Sequence, residues 1–122
     1  MPKLILCAGM RRSGSTWLYN VLRYCYLNAG YRTYGDYVKE YNASVPADVH
    51  VVKVHPFNRE LCGRADHVFT TIRDLRDAVA SMVRFKLAHN TPTGIARAAR
   101  QLIAREYEPW APYAALEIRY EE

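Results

Sequence analysis

Several features that define whole classes of protein are scarce or absent in this chain of 122 residues. Its three cysteines form no C-x-x-C pair, so a zinc site is not expected, and reduced thiols indicate a cytoplasmic protein. Cys7 and Cys25 fall within apolar patterns and are predicted to fill the core. No apolar run approaches the roughly 20 residues that span a bilayer, and the N-terminus shows no signal-peptide pattern.

Repeats, low-complexity tracts and interdomain linkers are also lacking, so a single domain over residues 1–122 is expected. No block of Lys and Arg alternates with aromatic residues, and a nucleic-acid partner is therefore not expected. The chain is 50% hydrophobic and 24% charged, which is an ordinary globular composition. Its net charge of +5 favours an anionic partner without identifying one.

Short apolar runs alternate with amphipathic segments along the chain. Strands are predicted at 3–8, 50–54, 67–72 and 115–120, and helices at 15–28, 75–86 and about 92–107. A short helix is expected around 35–41. In the second long helix, Asp74 is the predicted cap, and the residues expected to face inward are Ala78, Val79, Met82 and Phe85. The alternation predicts an α/β fold, in which helices flank a parallel β-sheet.

The first predicted strand runs into a glycine-bearing loop, C-A-G-M-R-R-S-G-S-T-W. Gly9 and Gly14 have the spacing of a phosphate-binding loop, but Ser15 stands where such loops have lysine. Backbone N–H groups, serine and threonine hydroxyls and Arg12 can hold an oxyanion there. Because strand, loop and helix occur in order, we expect a three-layer sandwich like that of P-loop nucleotide hydrolases. A serine-rich helix cap is the alternative interpretation.

Two further segments carry polar groups at predicted strand ends. Lys53 and His55 are two residues apart, so both point to one side of an extended chain. A histidine suits a general base at neutral pH, and a lysine can stabilise developing negative charge. Arg73 ends the next strand, and Ser81 follows eight residues later. For Lys53 and His55 the alternative interpretation is a surface pair at a strand end. For Arg73 and Ser81 it is a capped helix start. In a parallel sheet these groups and the loop meet in one crevice.

Together the three segments resemble the sulfotransferase superfamily that uses 3′-phosphoadenosine 5′-phosphosulfate (PAPS). The R-R-S-G-S-T-W run at 11–17 is similar to the family's P-K-S-G-T-T-W loop. Lys53-Val54-His55 is similar to a K-x-H strand of cytosolic members, and the Arg73 to Ser81 segment to the second family signature. The run LEIRYEE at 116–122 is similar to a later L-x-x-x-Y-E-D strand.

The resemblance implies transfer of a sulfuryl group from PAPS to an acceptor hydroxyl, with 3′-phosphoadenosine 5′-phosphate (PAP) as product and no metal. The acceptor would be a small molecule, a glycan or a lipid. His55 would be the base, and Lys53 and Arg12 would stabilise the transferring group. Arg73 and Ser81 would hold the 3′-phosphate. The implied residues around the 5′-phosphosulfate are Arg11, Arg12, Ser13, Gly14, Ser15, Thr16 and Trp17.

The chain departs from the family pattern at several points. Arg11 replaces the loop proline, Arg12 replaces the loop lysine, and Pro56 directly follows the histidine. The later G-x-x-G-x-x-K segment has no counterpart, so a short or truncated member is expected. The alternative bases are His50, Asp36 and Glu40.

Two other functions stay open at this point. One is a small P-loop kinase, for which Asp74 could hold Mg²⁺. The other is a non-catalytic module that binds PAP or another anion.

Overall fold

A computed structural model describes residues 1–120 of the chain. Its elements, in chain order, are β1 (Lys3–Cys7), α1 (Ser15–Asn28), β2 (Thr33–Tyr37), β3 (Val49–Lys53), α2 (Arg59–Arg64), β4 (His67–Ile72), α3 (Leu75–Arg84), α4 (Pro92–Glu106), a 3-10 turn (Ala111–Tyr113) and β5 (Leu116–Arg119). The five strands form one sheet in the order β2-β3-β1-β4-β5, and every neighbouring pair is parallel. The predicted α/β class is confirmed.

The sheet is buried on both faces, which explains why β1 reads as a continuous apolar run. On one face, Ile5 and Cys7 pack against Leu18 and Leu22 of α1. On the opposite face, the apolar residues of β1, β3 and β4 pack against α2 and the segment after α4; they contact Leu61 and Trp110. Three layers result. A separate cluster joins α3 and α4 and includes Met10 of the loop, so that loop is anchored to the helices beside it.

Three sequence-based expectations are wrong, and one helix was not predicted. The helix expected around 35–41 is wrong, because Thr33–Tyr37 pairs along its whole length with β3. Cys25 is exposed rather than in the core, whereas Cys7 is buried as predicted. Phe85 is 57% exposed, because α3 ends at Arg84 before its side chain can turn inward. The short helix α2 was not predicted; the side chain of Asn58 caps it by accepting from the Leu61 N–H.

Candidate anion-binding site

The loop between β1 and α1 turns sharply at two positions. Arg12 has a φ of 62° and Gly14 a φ of 85°, so the backbone is left-handed twice within three residues. Helix α1 begins at the next residue, which leaves its first N–H groups facing the space above the loop. Gly9 has a different reason for being glycine, since a Cβ there would lie 1.9 Å from Thr71 Oγ1 of β4. The loop is thus a tight backbone cradle at a helix N-terminus, a geometry that favours anions.

The β1–α1 loop, the Lys53–His55 segment and the segment that begins at Arg73 meet at the carboxyl ends of β1, β3 and β4. They line one open cavity of about 350 Å³, whose described lining residues are Arg11, Arg12, Gly14, Ser15, Thr16, Lys53, His55, Arg73, Leu87 and Tyr120. None of these lining residues is acidic. Positive groups held this close raise one another's free energy, and a bound anion would offset that repulsion.

Arg12 connects the loop to the segment after β4. Its Nε donates to Ser81 Oγ at 2.8 Å, and its guanidinium lies 4.3 Å from the centroid of the Phe85 ring. Arg73 Nη1 donates to the Arg12 backbone oxygen at 3.1 Å. The loop and the Arg73–Ser81 pair, which are about sixty residues apart in sequence, are therefore hydrogen-bonded to each other. An oxyanion held by the loop and an oxyanion held by Arg73 and Ser81 would therefore contact one connected hydrogen-bond network.

Lys53 lies on the other side of the loop. Its Nζ donates to Thr16 Oγ1 at 2.5 Å, so the β3 lysine contacts the first turn of α1. Burial lowers the pKa of Lys53, Cys7 beneath the loop opposes this shift, and the nearby Arg12 lowers the pKa further. The Lys53 ammonium group therefore lies beside the first turn of α1 and lines the cavity, where a bound anion would favour its protonated form.

His55 is held with a defined tautomer. Its Nδ1 lies 2.7 Å from the Gly9 carbonyl oxygen. A carbonyl oxygen can only accept, so Nδ1 must carry the proton and Nε2 is left as an acceptor. Burial lowers the pKa of His55; the bond to Gly9 and the charge of Glu106 oppose that shift, while Lys53 and Arg11 add to it. A neutral imidazole with a free Nε2 lone pair has the form required of a general base.

The alternative bases are less suited to this role. His50 is 1% exposed, accepts from the Tyr41 hydroxyl through Nδ1 and donates to the Val45 carbonyl oxygen through Nε2, so both ring nitrogens are engaged. Asp36 accepts from the Tyr37 N–H at 2.9 Å. Glu40 is exposed. None of the three lines the cavity described above.

Three predicted ligand residues have unexpected positions. Ser81 is buried, its Oγ accepts from Arg12 Nε, and it is not among the residues that line the cavity. Ser13 is fully buried, and its hydroxyl donates to the Met10 carbonyl oxygen and lies 2.6 Å from Thr71 Oγ1. Its side chain therefore supports the loop from inside the fold. Trp17 is 59% exposed and lines a second cavity of about 280 Å³ beside the first.

Three residues of the site were missed from the sequence, and one of them is Leu87, which lines the first cavity. Tyr120 lines both cavities, and Arg73 lies 4.7 Å from its ring centroid. The resemblance of LEIRYEE to a family strand was the available signal for it. Glu106 is 1% exposed and pairs with Arg11, with Nη2 and Oε2 2.9 Å apart. No local pattern on α4 distinguishes this glutamate from an exposed one.

Comparison with known protein families and with curated proteins finds no match to this chain. Within residues 1–120, no helix combines the length and apolarity that crossing a membrane requires. In the same part of the chain, no three or more His, Cys, Asp or Glu side chains form a group suited to a metal ion.

Proposed function

We propose that this protein is a PAPS-dependent sulfotransferase that moves a sulfuryl group to the hydroxyl of a small molecule, glycan or lipid. One observation carries the proposal. The cationic cavity combines a loop of the phosphate-binding type, which lacks the usual lysine, with a second cationic residue, Arg73, and Arg12 links the loop to the buried hydroxyl of Ser81. PAPS has two separate anionic ends, so it matches two linked anion-binding groups better than a linear triphosphate does.

The described side chains suggest how the donor would be held. Arg12, the hydroxyls of Ser15 and Thr16, and the backbone N–H groups of Ser13 and Gly14 would hold the 5′-phosphosulfate end. Arg73 and Ser81 would hold the 3′-phosphate. The exposed Trp17 ring and Tyr120 flank the second cavity, which offers an apolar wall for the planar base. Arg11 would contribute charge from the rim of the first cavity.

The transfer would be an in-line displacement at sulfur. His55 Nε2 would accept the proton of the acceptor hydroxyl as the new oxygen–sulfur bond forms. The bond from sulfur to the bridging oxygen would break, its electron pair would stay on that oxygen, and PAP would leave. Lys53 and Arg12 would stabilise the negative charge that develops on the bridging oxygen and the sulfuryl group. The side chains would contribute mainly by positioning and charge stabilisation.

A small P-loop kinase fits the described residues less well. Asp74, the carboxylate available for Mg²⁺ at the end of β4, is bonded to Arg76 at 3.0 Å and lies outside the cavity. The pairing with Arg76 lowers the pKa of Asp74 to about 2. A kinase would also leave the Arg73–Ser81 group without a ligand. A non-catalytic PAP-binding module uses the same cavity and differs only in the role of His55.

The proposal is tested by calorimetric titration with PAP, with ADP and with ATP plus Mg²⁺. ADP is a matched ligand because it is an isomer of PAP whose second phosphate is on the 5′ chain. We expect micromolar binding of PAP, weaker binding of ADP and a loss of about 10- to 100-fold in PAP affinity for Arg73→Ala, since a hydrogen bond to a charged group contributes about 1.5–3 kcal/mol. Arg76→Ala is the control, because Arg76 is exposed and outside the cavity.

Each outcome has a distinct meaning. Tighter binding of ATP with Mg²⁺ than of PAP would replace the sulfotransferase proposal with the kinase. Equal binding of PAP and ADP would show that no 3′-phosphate group is recognised. Binding of PAP together with transfer that is unchanged in His55→Asn would remove His55 from the mechanism.

A further inference from the structure

Glu106 is a buried carboxylate that the proposed transfer does not use. It is the last residue of α4 and is 1% exposed. A negative charge at a helix C-terminus is disfavoured by the helix dipole, and burying it without a partner is costly. A carboxylate in this place therefore needs strong compensation, and the loop provides it.

Arg11 supplies that compensation through both its side chain and its backbone. Its Nε donates to Oε1 at 3.0 Å and to Oε2 at 3.1 Å, and its Nη2 donates to Oε2 at 2.9 Å. The Arg11 backbone N–H also donates to Oε1, at 3.1 Å. One carboxylate thus fixes the direction of the Arg11 side chain and the orientation of the Met10–Arg11 peptide, one residue before the left-handed Arg12.

The same end of α4 also supports the other side of the cavity. The Arg105 carbonyl oxygen accepts from the Phe57 N–H at 2.8 Å, and Trp110 Nε1 donates to the His55 carbonyl oxygen at 3.0 Å. Residues 105–110 therefore contact the segment that carries His55, while Glu106 holds the phosphate-type loop. Arg11 uses Nε and Nη2 for Glu106 and still lines the cavity, so its remaining N–H groups are available to a ligand.

We propose that Glu106 is a positioning residue, which acts through Arg11 to preform the loop for a phosphate or sulfate group. The choice of PAP as the ligand in this inference rests on the proposed function. The physical reason is preorganisation: a loop that is already in its binding geometry loses less conformational freedom when the anion binds.

The test is a double-mutant cycle on ligand affinity. PAP is titrated calorimetrically into the wild type, Glu106→Gln, Arg11→Ala and the double variant, and thermal unfolding is recorded for each. We expect Glu106→Gln to weaken PAP binding about tenfold in the wild-type background and clearly less in the Arg11→Ala background, because Arg11→Ala removes the side-chain contacts and leaves only the bond from the residue-11 backbone N–H to Glu106. Glu108→Gln, a change of an exposed neighbouring acid, should leave the affinity unchanged.

A purely structural role gives a different result. In that case Glu106→Gln lowers the unfolding temperature and leaves the PAP affinity at the wild-type value, which would overturn the inference. Independent, additive effects of the two substitutions would overturn it as well. If Glu106→Gln does not fold, Arg11→Lys tests the same contact, since lysine keeps the charge but cannot make the side-on pair. Its affinity should then be reduced, and wild-type affinity would contradict the proposal.

Inorganic pyrophosphate separates this inference from the proposed function. If the wild type binds pyrophosphate but not PAP, and Glu106→Gln weakens the pyrophosphate binding, Glu106 positions the loop although the nucleotide proposal fails. If PAP binds equally to the wild type and to Glu106→Gln, the nucleotide proposal stands and the inference fails. Binding of neither probe by the wild type contradicts both.

Discussion

The close approach of the loop between β1 and α1 to β4 makes Gly9→Ala an informative perturbation. Gly9 does not have a positive φ, so alanine is free of backbone strain at this position. Its Cβ, however, would lie 1.9 Å from Thr71 Oγ1 and 3.0 Å from Ser15 Cβ, where ordinary contacts are 3.4–4 Å. Because Thr71 Oγ1 is also 2.6 Å from Ser13 Oγ, it cannot move without disturbing the inside of the loop. We expect a loss of about 1–3 kcal/mol in the free energy of unfolding.

A second substitution identifies the clash as the cause. Thr71→Ala removes the nearest atom, so the cost of Gly9→Ala should be smaller in that background, with a coupling energy of about 0.5–3 kcal/mol. Thr71→Ser keeps the Oγ and should give little relief, which makes it the matched control. Urea unfolding of the single and double variants measures each free energy. An equal cost of Gly9→Ala in the wild-type and Thr71→Ala backgrounds would refute the reasoning, because it would mean that the loop moves away from β4.

Further predictions concern the titratable groups near the loop. Burial lowers the pKa of His55 below 6.5, so on acidification the unfolded chain binds the proton first. The free energy of unfolding should therefore fall as the pH decreases through about 6.5. An NMR titration of the folded protein that gives a pKa above 6.5 would contradict this. His55→Asn keeps a donor for the Gly9 carbonyl oxygen, so it should fold and bind PAP normally while the transfer rate falls about 10²- to 10⁴-fold, whereas His55→Ala should also lose about 1–3 kcal/mol of stability. Burial raises the pKa of Cys7 to about 12, so thiol reagents should label the exposed Cys25 in the folded protein and Cys7 only after unfolding; equal labelling rates would be inconsistent with the buried thiol.

Local sequence was a reliable guide where short-range physics decides the structure. The apolar run of β1 predicted a buried strand, and the glycine-bearing loop before Ser15 indicated a strand on one side and a helix on the other. Alternation of such units predicts a parallel sheet, and in a parallel sheet the polar ends of β1, β3 and β4 meet at one edge. The juxtaposition of the loop, Lys53–His55 and Arg73 could therefore be predicted without coordinates.

Tertiary contacts decided what had no local signal. The segment Thr33–Tyr37 contains Gly and Asp, which are depleted in strands, yet it became β2 because β3 offered an unpaired edge. Ser13 has the composition of a ligand residue, but Thr71 and Met10 engage its hydroxyl inside the fold. Such outcomes depend on which groups lie nearby in space.

The residue types at the site could be predicted from the sequence, whereas the hydrogen bonds that position them could not. The sequence by itself determined an α/β domain with a basic, hydroxyl-rich crevice, because residue type and chain order set charge and strand polarity. Only the tertiary structure decided that the Gly9 carbonyl oxygen selects the His55 tautomer and that Glu106 holds Arg11. Those contacts join residues 46 and 95 positions apart, and hydrogen-bond geometry over such separations is set by packing rather than by any local pattern.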